Sequence, residues 1–249
     1  MTILGIIPAR YQSTRFPGKP LADIMGKSMV QRVYEQASQS ASLTDVVVAT
    51  DDDRILKHVQ EFGGQVVMTS RDHQSGTDRC DEVVNLLQEE YDVVINIQGD
   101  EPFIHPEQID LVADLFEDEL VQIGSLYKKV ENTEQLLSGN VVKVVVNVYD
   151  EAICFSRSPL PFFHNLPPQE WLGRHPYYHH VGIYGYRTAI LDELAQLEPS
   201  LLEQAESLEQ LRWLENGYTI NLAQTHHDSH GIDTPEELER VVEALKEKA

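Results

Sequence analysis

Cysteine and long apolar runs are scarce in this sequence. The first scarcity argues against a disulfide-rich protein, and the second argues against a membrane-spanning one. Cys80 and Cys154 are the two cysteines among 249 residues, too few for a disulfide framework, so we expect a reducing compartment, the cytoplasm. No apolar run approaches the length of a membrane span. The opening residues MTILGIIPAR carry no basic leader before a long apolar stretch, so we expect no signal peptide and a cytoplasmic protein.

Basic residues are also few compared with acidic ones. The chain has 19 Lys plus Arg against 41 Asp plus Glu, a formal net charge of -22. A field of that sign repels phosphate polymers, which argues against nucleic acid or an anionic membrane as partner. A small anionic ligand remains possible where the chain is locally basic.

The two commonest phosphate-binding motifs are missing as well. A P-loop would need glycine where Ser13 stands and Ser or Thr where Pro20 stands. No GxGxxG follows a predicted strand. The spacing therefore excludes a P-loop NTPase and a dinucleotide dehydrogenase.

What the sequence does contain is an alternation of short β-branched runs and amphipathic segments. Predicted strands lie at 3–7, 46–50, 93–97 and 141–148. Between them, apolar residues at helical spacing predict helices around Met29–Tyr34, Ile55–Phe62, Val83–Leu87 and Ile109–Phe116. This order predicts an α/β fold, a mostly parallel twisted sheet flanked by helices, in a single domain over residues 1–249.

The second half is less regular. Residues 155–187 combine five prolines with several aromatic residues. We interpret them as an insertion that forms part of a substrate pocket, a subunit contact, or both; the alternative is a long loop packed under its own aromatic residues. A strand at 182–186 and a helix at 207–216 follow. A last helix begins at DTPEELERVVEAL, where Thr234 and Glu237 predict a capping box.

The segment PARYQSTRFPGKP, residues 8–20, is locally basic. It carries Arg10, Arg15 and Lys19, whereas the first acidic residue of the chain is Asp23. The segment follows the first predicted strand, and ligands of open parallel sheets bind beyond such strand ends. Forked guanidinium donors and an ammonium suit a triphosphate. The alternative is a solvated basic loop whose charges pair with distant acids.

Two aspartates occupy comparable positions elsewhere. Asp100 follows the third predicted strand in INIQGDEP, where Gly99 allows a turn, and Asp233 precedes the N-cap of the last helix. Carboxylate oxygens without nearby cysteine suit Mg²⁺. Taken alone, Asp100 could be a turn residue and Asp233 a helix-dipole partner; together with the basic segment they predict a metal site.

Two other clusters resemble metal sites less well. Asp51–Asp53 contains the D-x-D pattern of metal-dependent glycosyltransferases, but we interpret it as a strand-to-helix turn with acids at a helix N-terminus. HHDSH at 226–230 matches no zinc motif and is predicted to be a polar loop. His179 and His180 lie beside the aromatic insertion, where a substrate hydroxyl or carboxylate could bind.

Several blocks resemble, in order, the motifs of the 3-deoxy-manno-octulosonate cytidylyltransferases, the CMP-Kdo synthetases of lipopolysaccharide assembly. These blocks are IPARYQSTRFPGKPL, DHQSGTDR, VINIQGDEP, CFSR, HHVGIYGYR, SLEQLR and GIDTPEELE, and the match runs from about residue 3 to 243. The resemblance implies a Rossmann-like nucleotidyltransferase fold and a homodimer. It also implies Mg²⁺-dependent transfer of CMP from CTP to 3-deoxy-manno-octulosonate (Kdo), with release of pyrophosphate.

The resemblance also implies residue roles, which we carry over as expectations. Asp100 and Asp233 correspond to the Mg²⁺ ligands. The nucleotide-binding positions are Pro8, Ala9, Arg10, Arg15, Lys19, Gln74, Ser75 and Gly76. The sugar-binding positions are Gln98, Arg157, His180, Tyr184, Glu209 and Gln210.

With these roles, the expected reaction is attack of the Kdo anomeric hydroxyl on the α-phosphorus of CTP. Arg10, Lys19, Asp100 and Asp233 are then the expected catalytic residues, with Arg15 and Lys19 on the leaving phosphates. The alternatives are a cytidylyltransferase for amino-Kdo or sialic acid, and a non-catalytic homologue that binds nucleotide.

Overall fold

The computed structural model describes residues 1–12, 15–73, 75–229 and 231–246. The chain forms two compact units, Met1–Asp110 with the described part of Asp228–Ala249, and Leu111–His227. The prediction of one domain with an insertion at 155–187 remains a prediction.

The strands are β1 Ile3–Ala9, β2 Asp23–Ile24, β3 Lys27–Ser28, β4 Asp45–Thr50, β5 Val66–Met68, β6 Val93–Asn96, β7 Ile123–Lys129, β8 Lys143–Val146, β9 Ala152–Ser156, β10 Tyr178–Arg187 and β11 Ile220–Gln224. The helices are α1 Met29–Ala37, α2 Asp53–Glu61, α3 Gly76–Leu86, α4 Pro106–Asp114, α5 Thr133–Leu137, α6 Pro168–Trp171, α7 Thr188–Ala195, α8 Leu201–Glu206, α9 Gln210–Glu215 and α10 Pro235–Lys246.

The first unit is built on parallel strands. β1 pairs in parallel with β4 on one side and β6 on the other, and β5 extends the sheet beyond β4. β1 is almost entirely buried, which fits a strand covered by helices on both faces of a parallel sheet. The carboxyl ends of β1 and β6 therefore lie side by side, and both are followed by predicted site residues.

The second unit contains mostly antiparallel pairs. β10 pairs antiparallel with β7 and β8, β8 with β9, and β11 runs parallel to β7. The predicted α/β class with a mostly parallel sheet is confirmed, and the antiparallel pairs fall in the half of the sequence that lacks regular alternation.

The predicted strand at 141–148 is shorter in the structure, where β8 covers Lys143–Val146. Asn147 ends it, because its side-chain oxygen accepts hydrogen bonds from the backbone N–H groups of Tyr149 and Glu151 and closes a turn. Val148 lies in this turn and is exposed.

The predicted helix at 207–216 is also shorter. Ser207 has φ 52° and ends α8, so α9 begins only at Gln210. α8 itself starts with a capping box between Ser200 and Glu203, a signal that the sequence contains and that our prediction missed.

The aromatic residues of 155–187 pack on one another and on residues that precede this segment. Trp171 and Tyr177 form a buried cluster with Val130 and Leu136, and the rings of Trp171 and Tyr177 stack with centroids 6.4 Å apart. The Trp171 indole N–H donates to the Leu166 carbonyl at 2.8 Å. Whether this segment also forms part of a substrate pocket or a subunit contact remains a prediction.

Among the described residues, no helix combines the length and apolar character needed to cross a membrane.

Candidate functional site

The basic segment after β1 is held by a contact between Tyr11 and Gly18. The Gly18 amide donates to the Tyr11 carbonyl at 2.9 Å. Gly18 has φ 74°, and a Cβ at this position would lie 3.2 Å from the Tyr11 ring. Glycine is therefore required for both its backbone conformation and its close approach. From the other side, the Arg54 guanidinium lies 3.2 Å from the Tyr11 ring centroid.

Lys19, directly after this turn, connects the two aspartates that were predicted to bind metal. Its Nζ atom lies 2.7 Å from Asp100 Oδ2 and 3.1 Å from Asp233 Oδ1. The Lys19 side chain is only 15% exposed, whereas those of Asp100 and Asp233 are 29% and 40% exposed. The predicted convergence of Lys19, Asp100 and Asp233 is confirmed; their catalytic roles remain predictions.

Asp233 reaches Asp100 because a backbone hydrogen bond ties their segments together. The Ile232 amide donates to the Asp100 carbonyl at 2.9 Å. The Glu237 carboxylate accepts from the amides of Asp233 and Thr234, and the Thr234 hydroxyl accepts from the Glu237 amide. The predicted capping box is thus present, and it fixes the backbone that carries Asp233 at the start of α10.

Gly99 lies in a turn, as predicted, and the Glu101 amide closes this turn by donating to the Gln98 carbonyl at 3.2 Å. Gly99 is not among the described glycines with positive φ, so a left-handed turn does not require it. A Cβ at Gly99 would instead lie 2.4 Å from the Pro8 carbonyl oxygen. Glycine here allows the segment after β6 to lie directly against the end of β1.

The cations of the basic segment pair with acids that are distant in sequence. Arg15 Nη1 lies 3.0 Å from Asp233 Oδ2, and Lys19 contacts both aspartates. Arg10 Nη1 donates to the His73 carbonyl at 3.3 Å. The predicted alternative, pairing with distant acids, therefore describes the geometry correctly, but the acids are those predicted for the metal site. The formal charges of Arg15, Lys19, Asp100 and Asp233 cancel within this cluster.

The other predicted nucleotide-binding residues lie in the same unit. Pro8 and Ala9 are the last two residues of β1, and Gly76 is the first residue of α3 rather than a loop residue. Ser75 is the N-cap of α3: its hydroxyl accepts from the Asp78 amide at 3.1 Å and its amide donates to Asp78 at 3.0 Å. Gln74 lies outside the described residues.

The Asp51–Asp53 triplet is a helix N-terminus, as predicted. Asp52 is the N-cap of α2 and accepts hydrogen bonds from the amide and the guanidinium of Arg54. The hydrogen bond from the Arg54 side chain holds the pKa of Asp52 down at about 2. Asp51 pairs with the buried guanidinium of Arg79 at 3.3 Å. The described part of HHDSH, residues 226–229, has no helix or strand, as predicted.

Glu101 is a residue of this unit that sequence reasoning missed. It follows Asp100 and accepts a hydrogen bond from the Ser229 hydroxyl. Burial raises the pKa of Glu101 to about 7, with a smaller contribution from the negative charge of Asp100, against the lowering effect of Ser229. Glu101 was visible in the motif QGDEP, but Ser229 lies 128 residues away and gave no signal.

The predicted sugar-binding residues lie in the second unit, with the exception of Gln98, which follows β6 in the first. His180 and Tyr184 lie on β10 with ring centroids 5.1 Å apart. Tyr184 is 8% exposed, and its hydroxyl has no hydrogen-bond partner in the part of the chain that the structure describes. Burial, together with Tyr186 and Glu209, raises the pKa of Tyr184 well above its ordinary value.

Arg157 is held by backbone carbonyls. Its Nε donates to Glu206 at 2.7 Å, Nη1 to Gly139 at 2.9 Å and Nη2 to Ser207 at 3.3 Å. These bonds use three of the five N–H groups of a guanidinium and leave one on each Nη atom. A carboxylate could accept hydrogen bonds from these two remaining groups.

Glu209 and Gln210 lie at the start of α9. Leu208, Gln210 and Leu211 are all buried, and the role of Gln210 in sugar binding remains a prediction. Glu209 is half-buried.

The donor set around Lys19 fits a divalent magnesium ion. One cation, the Lys19 ammonium, contacts both Asp100 and Asp233, so the two carboxylates face a common point. Mg²⁺ is usually held by one or two carboxylates, with waters and substrate phosphates completing its coordination. Asp100 and Asp233 are the residues that would hold it.

Comparisons with known proteins show which family this chain resembles. A family model described as cytidylyltransferase matches residues 4–220. A 3-deoxy-manno-octulosonate cytidylyltransferase of Parabacteroides distasonis is 53% identical, with 98% of each chain covered. The protein of the same name from Bacteroides thetaiotaomicron is 52% identical, with 100% of each chain covered.

Solved structures give the same result. A CMP:2-keto-3-deoxy-manno-octonic acid synthetase complexed with CTP matches with a TM-score of 0.91 and 42% identity, covering 100% of both chains. A 4-diphosphocytidyl-2C-methyl-D-erythritol synthase from Anaerococcus prevotii, at 11% identity and a TM-score of 0.64, shares the fold. The chain belongs to the family of 3-deoxy-manno-octulosonate cytidylyltransferases.

Proposed function

We propose that this protein transfers CMP from CTP to the anomeric hydroxyl of Kdo, giving CMP-Kdo and pyrophosphate for lipopolysaccharide biosynthesis. The observation that carries the proposal is the contact of Lys19 with both Asp100 and Asp233, in a chain that is similar to CMP-Kdo synthetases over its full length. The test is release of pyrophosphate from CTP on addition of Kdo and Mg²⁺. No release under these conditions would refute the proposal.

The basic segment binds the triphosphate. Arg15 and Lys19 exchange their aspartate partners for the β- and γ-phosphate oxygens, and Arg10 contributes a third positive charge. Pyrophosphate carries most of the negative charge that develops as it leaves, and these side chains stabilise it. Ser75 and Gly76 lie at the N-terminus of α3, where the helix dipole favours the negative charge of the nucleotide.

Asp100 and Asp233 hold Mg²⁺. When bound, the ion supplies Lewis-acid stabilisation of phosphate charge and lowers the pKa of a coordinated hydroxyl. The Ile232–Asp100 hydrogen bond and the capping box at Thr234 keep the two carboxylates in place before the ion arrives. Direct binding of Mn²⁺, followed by electron paramagnetic resonance, tests this site without an activity measurement.

The sugar acid is bound by residues of β10, α9 and the segment after β9. The two remaining N–H groups on the Arg157 fork suit the Kdo carboxylate. The Tyr184 hydroxyl, which is buried without a described partner, suits a sugar hydroxyl, since burying it unpaired is costly.

Two other functions are separated by the same assay. A synthetase for another acidic sugar would release pyrophosphate faster with amino-Kdo or sialic acid than with Kdo. A non-catalytic homologue would bind CTP and release none with any of the three. The presence of both carboxylates and of Lys19 in contact favours the catalytic protein.

We further propose that the protein is a cytoplasmic homodimer. Its two cysteines are free, as expected for a reducing compartment, and its substrate CTP is a cytoplasmic nucleotide. Light scattering on the purified protein tests the dimer, and a monomer mass at assay concentrations would contradict it.

A further inference from the structure

Ser125 lies opposite an irregularity in β10. The pairing of β10 with β7 shifts register between Val181 and Tyr184, so that extra residues of β10 face one residue of β7. The Ser125 side chain is fully buried at this point. Its hydroxyl oxygen lies 2.7 Å from the Ile183 carbonyl, 3.4 Å from the Val181 carbonyl and 2.9 Å from His180 Nε2.

A count of protons assigns the direction of these hydrogen bonds. The carbonyls of Val181 and Ile183 can only accept, and a serine hydroxyl has a single proton to donate. The shortest contact is to the Ile183 carbonyl, so the hydroxyl proton lies between these two oxygen atoms. Without that proton, the lone pairs of two oxygen atoms only 2.7 Å apart would face one another. The Ser125 oxygen must then accept from His180, which requires a proton on Nε2.

The surroundings of His180 keep the ring neutral. Burial lowers the pKa of His180 to about 3, and the neighbouring His179 contributes in the same direction. The rings of Phe155 and Tyr184 both contact the imidazole, each with its centroid 5.1 Å away. Nδ1 makes no hydrogen bond to any residue that the structure describes. A neutral ring with its proton on Nε2 offers a lone pair at Nδ1.

We infer that Ser125 is a positioning residue that fixes His180 as the Nε2–H tautomer, so that Nδ1 accepts a hydrogen bond from a hydroxyl group of the sugar acid. The inference rests on the proposed function, which places His180 in the sugar site. A lone pair at Nδ1 makes His180 selective among the groups of the ligand. It can accept a hydrogen bond from a hydroxyl group, whereas it repels the negative charge of a carboxylate. The carboxylate of the same ligand is left to cationic donors such as Arg157.

The tautomer can be measured without any activity. Long-range ¹H–¹⁵N spectra of protein labelled with ¹⁵N-histidine show which ring nitrogen carries the proton, and His180 is assigned by the signal lost in His180→Phe. We expect the Nε2–H pattern in the wild type and its loss or mixing in Ser125→Ala. Ser28→Ala is the matched control, because Ser28 contacts His58 Nε2 at 2.7 Å; it should change the His58 signals and leave those of His180.

A wild-type His180 with its proton on Nδ1 would overturn the inference, and so would an unchanged Nε2–H pattern in Ser125→Ala. Ser125→Cys, which keeps the shape of the side chain but accepts hydrogen bonds weakly, serves if the alanine variant does not fold. The wild-type spectrum decides the first of these outcomes without any Ser125 variant.

Kinetics test the role in substrate binding. In Ser125→Ala, we expect the KM for Kdo to rise by about 10-fold, the loss of one hydrogen bond, with the KM for CTP changed by less than about twofold. His180→Phe should have a similar effect, and the double variant should be no worse than either single one. Additive effects would show that Ser125 acts independently of His180. If the wild type makes no CMP-Kdo at all, the proposed function fails, while the tautomer result stands.

Discussion

The Lys19 ammonium lies 2.7 Å from a carboxylate oxygen of Asp100, although 81 residues separate the two in the sequence. The same nitrogen also contacts Asp233, a further 133 residues along the chain. The basic segment, residues 8–20, contains no acidic residue, and its cations therefore pair with carboxylates from two distant parts of the sequence. This cluster determines the first two predictions.

Asp100→Asn should lower turnover by at least ~10²-fold, because it removes a preorganised charge from the phosphate-transfer site. The measurement is pyrophosphate release at saturating CTP and Kdo with Mg²⁺ as the only divalent metal. Asp53→Asn is the control: Asp53 is exposed in the first turn of α2, and its variant should retain turnover within about twofold. The reverse order of effects would favour the glycosyltransferase-like interpretation of Asp51–Asp53.

Lys19→Ala should raise the KM for CTP and lower turnover together, because the proposed role of Lys19 is to contact phosphate in both the ground state and the transition state. Steady-state kinetics with each substrate varied in turn measure both constants. Lys27→Ala is the matched control, since Lys27 is an exposed lysine that pairs with Glu35 at 2.6 Å. An effect of Lys19→Ala confined to the KM for Kdo would contradict the phosphate role.

Gly99→Ala should destabilise the protein by about 1–3 kcal/mol, because its Cβ would overlap a backbone oxygen that cannot rotate away. Denaturant unfolding monitored by circular dichroism measures this loss. Gly139→Ala is the control: Gly139 is exposed and nothing lies within 4 Å of its added Cβ. Equal stability of the two variants would show that the contact between Gly99 and Pro8 is looser than described.

The stability of the protein should depend on pH through His180. Its pKa is about 3 in the folded protein and about 6.5 in an unfolded chain. Between these values the unfolded state binds more protons, so the free energy of unfolding falls as the pH falls below about 6.5. From pH 7 to pH 5.5 the His180 contribution is a loss of about 1 kcal/mol.

His180→Phe removes this contribution, so its free energy of unfolding should decrease less than that of the wild type over the same interval. Urea unfolding at pH 7 and at pH 5.5 gives the comparison. The control is His164→Phe, a replacement at an exposed position, which should keep the wild-type difference. Equal pH dependence of the wild type and His180→Phe would mean that His180 is not buried as a neutral ring.

Local chemistry is what the sequence determined by itself. The β-branched runs predicted β1, β4 and β6, because a strand buried on both faces needs a nearly continuous apolar run. Thr234 and Glu237 predicted the start of α10, and the Asp51–Asp53 triplet predicted the start of α2, because capping depends on residues only a few positions apart. Charge alone marked the basic segment, and parallel strand order predicted that Asp100 would face it.

The tertiary structure decided what depends on contacts between distant residues. It set the partners of Arg15 and Lys19, the reason for glycine at position 99, and the environment of Glu101, which Ser229 approaches from 128 residues away. It also placed Ser125 opposite the irregularity of β10, a contact that the spacing of residues in the sequence does not predict. Hydrogen bonds and burial between segments far apart follow from how the chain packs, and a single sequence contains no local pattern that records them.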